Sequence, residues 1–488
     1  MGVTGLWSLL KPVKTNALLT DCKGKKLAVD LSAWIVQCST SGPGGSTEAF
    51  IKLLCCRGIF FKALKLLSCG ISLVCILDGP VPPSVKKSVK SRENFYKYTL
   101  ELKELLLAIG IPVIESNGEA EKLCAWLDFN EVVDGVLSVD GDALIYGAKT
   151  VYKGTLTNKV RPSAEKYEMA KVTSVLGLTR RDLIAFALLS KGDYCDGVPN
   201  VGEMKFMELM KEFKQNSIED ALFRMQSWKN NTALDALESK QKSLKDFKIS
   251  HCSQCHHQGT KQAHVKSGCV ACQTVQACTS TPKDAVSQQH GPVCPCHWHC
   301  LEQETRPYGS ELKIRAMALA SDPGFPDNLI VKEFLEHDNL PGDLKTDILT
   351  PDFRKIHQIF HNSLNYTFEK TMSFLIPTYI KMALHGLVPM SYVSYAEPLS
   401  ILKVHTLEAK KCFMVSWVIK ENERQDLGES FTPGTCFEIS VPIGLFTSNF
   451  PEMSAKFNAV NTKRKAVREG QRQQKMTSFF KVMKRDRT

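Results

Sequence analysis

Four short apolar runs within the first 140 residues constrain the fold most, because three of them end in an aspartate. Longer stretches with helical periodicity, such as GEAEKLCAWLDF, lie between the runs. Continuous apolar strands that alternate with helices are typical of an α/β fold with a central, mostly parallel sheet and helices on both faces. The four runs are KKLAVD (25–30), ISLVCILD (71–78), IPVIES (111–116) and VDGVLSVD (133–140).

Acidic side chains follow these runs at positions where an open parallel sheet binds its ligands. Asp30, Asp78 and Asp140 end three of the predicted strands, and ligands of parallel sheets lie at the carboxyl ends of the strands. Asp140 and Asp142 are two residues apart, and on an extended chain such residues share a face. We therefore expect carboxylates to gather at one edge of the sheet. A further acid, Asp193, follows the helical run DLIAFALLSKG.

Glu119 and Glu121 form a second pair, and both reach one site only if the chain changes conformation between them. Residues two apart on a regular helix do not face each other. Because Asn117-Gly118 precedes the pair, we predict that Glu119 lies in a non-helical lead-in and that Glu121 lies in the first turn of a helix.

Carboxylates gathered in one cleft repel each other unless cations neutralise them. Hard oxygen ligands suit Mg²⁺ or Mn²⁺, and two such ions can activate a water and stabilise the leaving oxygen of a phosphodiester. Lys and Arg number 62 against 51 Asp and Glu, which favours a polyanionic partner such as nucleic acid or an anionic membrane. The alternatives are acids that cap helices or close turns, and a charged surface that serves solubility.

Length and composition predict about three domains at roughly 150 residues each. No run reaches the roughly 20 apolar residues that a bilayer requires, and the N-terminus lacks a signal-peptide pattern. The sequence thus predicts an intracellular, soluble protein.

Ten of the 18 cysteines are scattered among apolar residues and are expected to be buried thiols. The other eight lie between His251 and Cys300, which in a reducing compartment indicates metal rather than disulfides.

Six motifs in order resemble those of the XPG/flap-endonuclease (Rad2) nuclease superfamily over about residues 1–210. They are MGVTGLWSLLKPV, the strand ending at Asp30, LDG at Asp78, GEAEKLCA, SVDGDALIYG and SKGDYCDGVPNVG. The resemblance implies a PIN-like/Rad2 nuclease core that cuts branched DNA with Mg²⁺ and leaves 5′-phosphates. It also implies a site of seven acids that holds two metal ions, namely Asp30, Asp78, Glu119, Glu121, Asp140, Asp142 and Asp193.

Two segments are expected to contact DNA. GVPNVG resembles the hairpin of the superfamily's helix–two-turn–helix, which in relatives also holds K⁺, and its contact residues are Gly197, Val198, Asn200 and Gly202. Asn200 stands where Gly is usual, and Asn tolerates left-handed backbone.

The basic, aromatic stretch 82–98 resembles the arch over the active site, with Lys86, Lys87, Lys90 and Arg92 as phosphate contacts. Lys86 and Arg92 are the residues expected to steady the scissile phosphate, although Arg92 is one residue closer to Lys86 than the family spacing. The alternative for this stretch is a solvated basic helix.

The N-terminal GVTGLW is expected to place Gly2, Leu6 and Trp7 near the DNA junction. Burial in the protein core is an equally good interpretation of Leu6 and Trp7.

Cys252, Cys255, Cys269 and Cys272 form C-x₂-C-x₁₃-C-x₂-C, a pairing that tetrahedral Zn²⁺ sites use. The alternative is a thiol-rich loop without metal. Further candidates for a second site are Cys278, Cys294, Cys296, His297, His299 and Cys300, and the sequence does not assign four ligands among them.

This Cys/His segment resembles an insert in GEN-type Holliday-junction resolvases, which carry a chromodomain after the nuclease core. That resemblance implies a monomer that pairs on a four-way junction and nicks two opposing strands.

The predicted organisation follows from these patterns. It comprises an XPG N-terminal region with the arch (1–96), an internal nuclease region that ends in the helix–two-turn–helix (97–210), a helical continuation (211–250), the Cys/His insert (251–300), a helical region (301–390), a chromodomain-like β unit (397–455) and a disordered basic tail (456–488).

The tail contains QQKMTSFF, which resembles the box that docks replication enzymes on the sliding clamp (PCNA). Its contact residues are Gln473, Met476, Phe479 and Phe480. Basic patches beside the box are typical of nuclear import or DNA contact, so a nuclear location is expected.

The sequence thus favours a GEN-type endonuclease that acts on Holliday junctions and 5′-flaps in recombination and repair. The alternatives are a replication flap endonuclease that works with the clamp and a catalytically inactive scaffold for branched nucleic acid.

Overall fold

The computed structural model describes residues 2–18, 22–40, 48–87, 93–154, 163–246, 250–255, 257–278, 297–336, 344–407, 410–420 and 435–485. Two compact units divide the chain. The first unit comprises Met1–Pro12, Ser84–Ser88 and Val172–Glu336. The second comprises Val13–Pro83, Val89–Lys171 and His337–Thr488. Among the described residues, no helix is both long and apolar enough to cross a membrane.

A seven-stranded sheet forms the centre of the second unit. Its strands are β1 (Thr15–Leu18), β2 (Lys26–Asp30), β3 (Ser72–Leu77), β4 (Val113–Glu115), β5 (Val136–Leu137), β6 (Thr150–Lys153) and β7 (Ser163–Glu168), in the spatial order β1-β7-β6-β5-β2-β3-β4. The run from β6 to β4 is parallel, with Ala28 opposite Val74 on one side and Val136 on the other. β7 is antiparallel to both β6 and β1. The predicted mostly parallel sheet is confirmed.

Both faces of this sheet are covered. Consecutive residues of β2 and β3 are buried, from Leu27 to Asp30 and from Leu73 to Leu77, and successive strand residues point to opposite faces. The helices that follow the strands in this part of the chain are α2 (Leu31–Thr40), α3 (Glu48–Ser68), α4 (Glu93–Ala108), α5 (Ala120–Phe129), α6 (Asp142–Ile145) and α7 (Met169–Lys171).

The C-terminal part of the second unit contains a three-stranded antiparallel sheet, as predicted. Its strands are β8 (Ala396–Leu407), β9 (Lys410–Ile419) and β10 (Cys436–Pro442), with β9 in the centre. The helices α16 (Phe353–Leu364), α17 (Phe368–Leu384) and α18 (Ile443–Asn449) accompany it, with a 3₁₀ turn at Met390–Val393. Trp417 is fully buried in a hydrophobic cluster that also contains Phe60 and Leu27. The small sheet therefore shares its core with α3 and β2.

The tail differs from the prediction of disorder, because α19 runs from Pro451 to Arg485. Pro451 occupies the first helical position, where its fixed φ favours helix, and the residues after it are mostly strong helix formers. Ser454 is buried and the ring of Phe457 lies 5.4 Å from that of Phe413, so the first turns are held by packing.

The first unit is helical. Its helices are α1 (Leu6–Leu10), α8 (Arg180–Leu189), α9 (Glu203–Gln215), α10 (Ala221–Gln226), α11 (Thr232–Asp246), α12 (Lys261–Ser267), α13 (His297–Thr305), α14 (Gly309–Ser321) and α15 (Asn328–Leu335). A π-helical turn spans Val172–Leu176, and 3₁₀ turns span Trp228–Asn230 and Arg306–Tyr308. The helical region predicted at 301–390 thus contributes helices to both units. Leu6 is buried, which agrees with the core interpretation of that residue.

Buried polar side chains link the helices of the first unit. Glu311 is fully buried and accepts hydrogen bonds from Arg224 Nε at 2.6 Å and from Trp228 Nε1 at 2.8 Å. Arg315 pairs with Asp235 and Glu238. These pairs connect α14 to α10 and α11, and a buried charge is tolerated only when such partners satisfy it.

Candidate functional site

Three adjacent parallel strands end at the same edge of the central sheet, and each has an acid at its end or shortly after it. Asp30 is the last residue of β2, Asp78 directly follows β3, and Asp140 lies three residues beyond the end of β5. The predicted strand of Asp140 is shorter than the run 133–140 suggested, and Ser138 begins the loop that carries the acid. The sheet topology therefore brings acids from distant parts of the chain to one edge.

The second acidic pair lies where the chain enters α5. Glu119 is the N-cap residue, with extended backbone (φ −86°, ψ 134°), and Glu121 lies in the first turn. This confirms the predicted change of conformation between the two glutamates. Oδ1 of Asp78 accepts a hydrogen bond from the backbone N of Ala120 at 2.8 Å. Asp78 thus holds the N-terminus of α5 against the end of β3, and a carboxylate at a helix N-terminus is electrostatically favoured.

Glu121, Asp140 and Asp142 form the tightest group of acids in the described part of the chain. One carboxylate oxygen from each lies within 4.8 Å of the others. The Ser138 hydroxyl donates a hydrogen bond to Oε1 of Glu121 at 2.9 Å, and Ser138 Oγ accepts one from the backbone N of Asp140 at 3.0 Å. Ser138 was missed by the sequence analysis, because its role depends on the loop conformation after β5.

Electrostatic repulsion and burial act together on the acids at this edge of the sheet. Burial raises the pKa of Asp30 well above its usual value, and the nearby charge of Asp78 raises it further. Burial also raises the pKa of Glu121, with an additional contribution from the charge of Asp140. Deprotonated carboxylates at this density are unfavourable without counter-charge. Buried carboxylate oxygens that repel each other fit hard divalent cations such as Mg²⁺.

Asp193 and Lys86 belong to the first unit, where Lys86 Nζ lies 3.5 Å from Asp193 Oδ2. The neighbouring Lys87 pairs with Asp196 at 2.6 Å, and its backbone N donates to the carbonyl of Asp193 at 3.0 Å. These contacts lie at the N-terminal end of the predicted arch, whose C-terminal end, from residue 93 to residue 98, belongs to α4. Lys90 and Arg92 lie outside the described residues, and the role of Asp193 as a metal ligand stays a prediction.

The predicted DNA-binding hairpin joins α8 to α9 in the first unit. Thr179 caps α8 through a capping box with Asp182. Gly197 has a φ of +72°, and a Cβ there would lie 2.5 Å from the backbone N of Lys191. Asn200 has a φ of +60°, so the left-handed conformation expected of this position is confirmed. Gly202 is the N-cap residue of α9 and provides no side-chain cap, which leaves the first backbone N–H groups of the helix available to a phosphate.

The cysteines of the predicted zinc motif fall into two groups rather than one. Cys252 and Cys255 group with His264 and Cys278, whereas Cys269 and Cys272 group with His257 and again Cys255. His257 and His264 complete the two groups, and the spacing of the cysteines in the sequence does not identify them. Among the other candidates, Cys294 and Cys296 lie outside the described residues, and Cys300 is exposed on α13.

The predicted clamp-binding box lies within α19, near its C-terminal end. Gln473 is exposed, and the side chains of Met476, Phe479 and Phe480 lie outside what the structure describes. Their contact with a clamp stays a prediction.

Comparisons with known proteins agree with this arrangement. The family models of the XPG N-terminal domain and the XPG I-region match residues 1–97 and 110–193. Flap endonuclease GEN homolog 1 of Homo sapiens is 30% identical over 504 aligned residues, which cover 98% of this chain and 52% of that protein. The chain spans about half the length of the curated relatives it matches.

Solved structures share the fold. A crystal structure of human GEN1 in complex with Holliday junction DNA is similar with a TM-score of 0.63 and 23% identity, over 96% of this chain and 100% of that chain. A crystal structure of the Holliday junction-resolving enzyme GEN1 with product DNA and a Mg²⁺ ion is similar with a TM-score of 0.50 and 18% identity, over 94% of this chain and 100% of that chain.

Proposed function

The chain belongs to the XPG family of nucleases through its N-terminal and I-region domains, and we propose that it is a metal-dependent, structure-specific DNA endonuclease. The observation that carries the proposal is the gathering of Glu121, Asp140 and Asp142 at the sheet edge where β2 ends in Asp30 and Asp78 follows β3. Burial and the charge of Asp78 raise the pKa of Asp30, and burial and the charge of Asp140 raise the pKa of Glu121. Oxygen donors that raise each other's pKa fit a cation site.

The proposed site consists of the seven acids Asp30, Asp78, Glu119, Glu121, Asp140, Asp142 and Asp193. When bound there, two Mg²⁺ ions, or Mn²⁺ in their place, would supply an activated water and stabilise the leaving oxygen of the phosphodiester. The residues of the chain hold and orient these ligands. Ser138 orients Glu121, and Asp78 holds the start of α5, from which both glutamates project.

Basic residues and backbone N–H groups bind the DNA in this proposal. Lys86, Lys87, Lys90 and Arg92 contact phosphates at the arch, and the hairpin with Gly197, Val198, Asn200 and Gly202 contacts a duplex backbone, with K⁺ in its loop. Gly2 lies near the junction. Zn²⁺ in the Cys/His segment is a structural ion that takes no part in hydrolysis.

The substrates proposed are Holliday junctions and 5′-flaps, cut to leave 5′-phosphates. Support comes from relatives described as flap endonucleases and from human GEN1 in complex with a Holliday junction. On a junction the protein would act as a pair of monomers, in the nucleus, in recombination and repair. The QQKMTSFF box favours a second candidate, a flap endonuclease that works with the sliding clamp (PCNA) through Gln473, Met476, Phe479 and Phe480.

A cleavage assay with Mg²⁺ tests the proposal and separates the two candidates. An immobile four-way junction and a 5′-flap are each labelled on both strands and incubated with the protein, with and without the clamp. Paired, symmetric nicks in the junction support the resolvase. Cleavage of the flap alone, stimulated by the clamp, supports the second candidate. Binding of both substrates without any cleavage would support an inactive scaffold and overturn the proposal.

A further inference from the structure

The segment 250–278 of the first unit has an unusual core. Its aliphatic side chains lie on the outside, with Val265, Val270 and Val275 exposed by 53%, 97% and 88%. The buried side chains are polar or sulfur-bearing: Cys252, Cys255, His257, His264, Cys269 and Cys278. The described residues of this segment therefore lack the apolar interior that usually stabilises a small fold.

Two sets of four ligand atoms fill this interior, and Cys255 belongs to both. In the first set, Cys252 Sγ lies 3.6 Å from Cys278 Sγ, and Cys255 Sγ lies 3.4 Å from His264 Nδ1. In the second set, His257 Nδ1 lies 3.2 Å from Cys272 Sγ and 3.5 Å from Cys269 Sγ, which is 4.0 Å from Cys255 Sγ. Within each set, all four ligand atoms lie within 4.8 Å of one another.

These distances match the edges of a zinc tetrahedron. Zn–S bonds of about 2.3 Å and Zn–N bonds of about 2.0 Å give S–S edges of about 3.8 Å and S–N edges of about 3.5 Å. A disulfide would instead bring two sulfurs to about 2.05 Å. Every cysteine of the two sets is a free thiol, so the clustering is not explained by disulfide bonding.

The backbone around the ligands is arranged as it is in zinc knuckles. Cys252 Sγ accepts a hydrogen bond from the backbone N of Gln254 at 3.4 Å, and the first loop is closed by Cys252 N donating to the carbonyl of His257 at 2.9 Å. Cys269 and Thr274 exchange backbone hydrogen bonds of 3.1 Å and close the second loop. An N–H group aimed at sulfur stabilises the thiolate that a metal requires.

His264 is oriented as a metal ligand by its other ring nitrogen. Nε2 lies 2.8 Å from the carbonyl oxygen of Gln258, and a carbonyl can only accept, so Nε2 carries the proton. Nδ1 then presents a lone pair toward Cys255. The close approach of this ring also explains Gly259, because a Cβ there would lie 2.6 Å from His264 Nε2. Such a carbonyl partner is the usual orienting contact of a zinc-bound histidine.

From this arrangement we propose that segment 250–278 binds two Zn²⁺ ions in one binuclear cluster, bridged by the thiolate of Cys255. Each ion takes three terminal ligands and the shared sulfur, which gives four-coordinate sites closed to substrate. Five thiolates and two neutral imidazoles around two divalent ions leave a net charge of about −1 on the cluster. The cluster replaces the missing apolar core and holds the two knuckles together. It is independent of the nuclease site, because none of its ligands belongs to the proposed seven acids.

Metal content of the 488-residue chain tests the stoichiometry. The protein is purified without added chelator, and zinc is measured by native mass spectrometry. The expected result is two zinc ions per chain. Cys269→Ser and Cys278→Ser are each expected to lose one ion, from the second and the first set respectively. Cys255→Ser is expected to weaken both sites. Cys436→Ser, which removes an exposed thiol of β10, is the matched control and should keep two ions.

The bridge itself is tested by ¹¹³Cd NMR after exchange of zinc for cadmium. Two resonances that show scalar coupling to each other support a shared thiolate, because such coupling requires a ligand common to both nuclei. Two uncoupled resonances would overturn the bridge, and one zinc ion or none per wild-type chain would overturn the binuclear cluster. Circular dichroism of each variant controls for loss of the fold. If a variant unfolds, the wild-type stoichiometry and the coupling still decide the proposal.

Discussion

The hydroxyl of Ser138 lies 2.9 Å from Oε1 of Glu121 and donates a hydrogen bond to it. Ser138 Oγ also accepts a hydrogen bond from the backbone N of Asp140 at 3.0 Å, so one serine positions two acids from different elements. In a metal site, partners of this kind set the orientation of the ligands, and their loss typically costs 10–100-fold in affinity or activity.

We expect Ser138→Ala to raise the Mg²⁺ concentration for half-maximal cleavage by about tenfold, while the maximal rate at saturating Mg²⁺ falls less. Titration of Mg²⁺ in a junction-cleavage assay measures this. The control is Ser39→Ala, which removes the hydrogen bond from Ser39 to the Val36 carbonyl on α2 and should leave the Mg²⁺ dependence unchanged. An identical Mg²⁺ titration for Ser138→Ala and wild type would contradict the positioning role.

The pKa of Asp30 predicts how the metal-free protein responds to pH. Because burial and the charge of Asp78 raise this pKa in the folded state, the folded protein holds the proton more tightly than the unfolded chain. The stability that Asp30 contributes is fully present below its unfolded-state pKa of about 3.9. This contribution is lost as pH rises through the higher pKa that Asp30 has in the folded protein. The metal-free protein should therefore lose stability as pH rises from about 4 toward neutrality.

Replacement of Asp30 by Asn should flatten this dependence and stabilise the metal-free protein at neutral pH, because the amide carries no charge that burial or Asp78 would disfavour. Urea unfolding between pH 4 and 8 in the presence of a chelator measures the effect. Asp347→Asn, which removes an exposed carboxylate, should follow the wild-type curve. A wild-type stability that is flat across this range would refute the electrostatic interpretation.

The elements that the sequence predicted well are those whose conformation is determined by residues that are close in the sequence. The strands β2 and β3 are continuous apolar runs, and Glu119 before α5 follows an Asn-Gly pair that breaks helical geometry. By contrast, β7 was missed because its sequence, SAEKYE, is mostly polar and only Ala164 and Tyr167 are buried. Such an antiparallel strand is specified by its pairing with β6 and β1 rather than by its own hydrophobicity.

The candidate metal ligands show the same division. The carboxylates were identified from the ends of strands and from family motifs, since the topology of a parallel sheet places them together. The grouping of Cys255 with both His257 and His264 depends on how two loops fold against each other, which residue spacing does not specify. The tail was predicted to be disordered because it is basic and polar, yet Phe457 and Ser454 anchor the start of α19.

Gly197→Ala should destabilise the hairpin between α8 and α9. The φ of +72° strains an alanine, and its Cβ would lie 2.5 Å from the backbone N of Lys191. The expected loss is about 1–3 kcal/mol of stability, with weaker junction binding in gel-shift titrations. Gly309→Ala is the control, because no atom lies within 4 Å of a Cβ there. Junction affinity and stability equal to wild type in Gly197→Ala would contradict the hairpin's role.

Removal of Glu311 should destabilise the first unit strongly. Glu311 is fully buried and satisfies both Arg224 and Trp228, so Glu311→Ala leaves a partly buried guanidinium and an indole N–H without their acceptor. The expected cost is about 3–5 kcal/mol in chemical unfolding. Glu304→Ala, which breaks the exposed pair with Lys240, should cost less than about 1 kcal/mol. Equal effects of the two changes would show that the buried network is not a major source of stability.

The central claim is that acids from separate strands act together as a metal site for hydrolysis of branched DNA. The most direct measurement is single-turnover cleavage of a four-way junction by Asp140→Ala in Mg²⁺, with junction affinity measured in Ca²⁺ on the same protein. We predict that cleavage falls by about 100- to 1,000-fold, as expected when electrostatic stabilisation of a reacting group is lost, while the affinity stays within about threefold of wild type. Cleavage at the wild-type rate by Asp140→Ala would contradict the account.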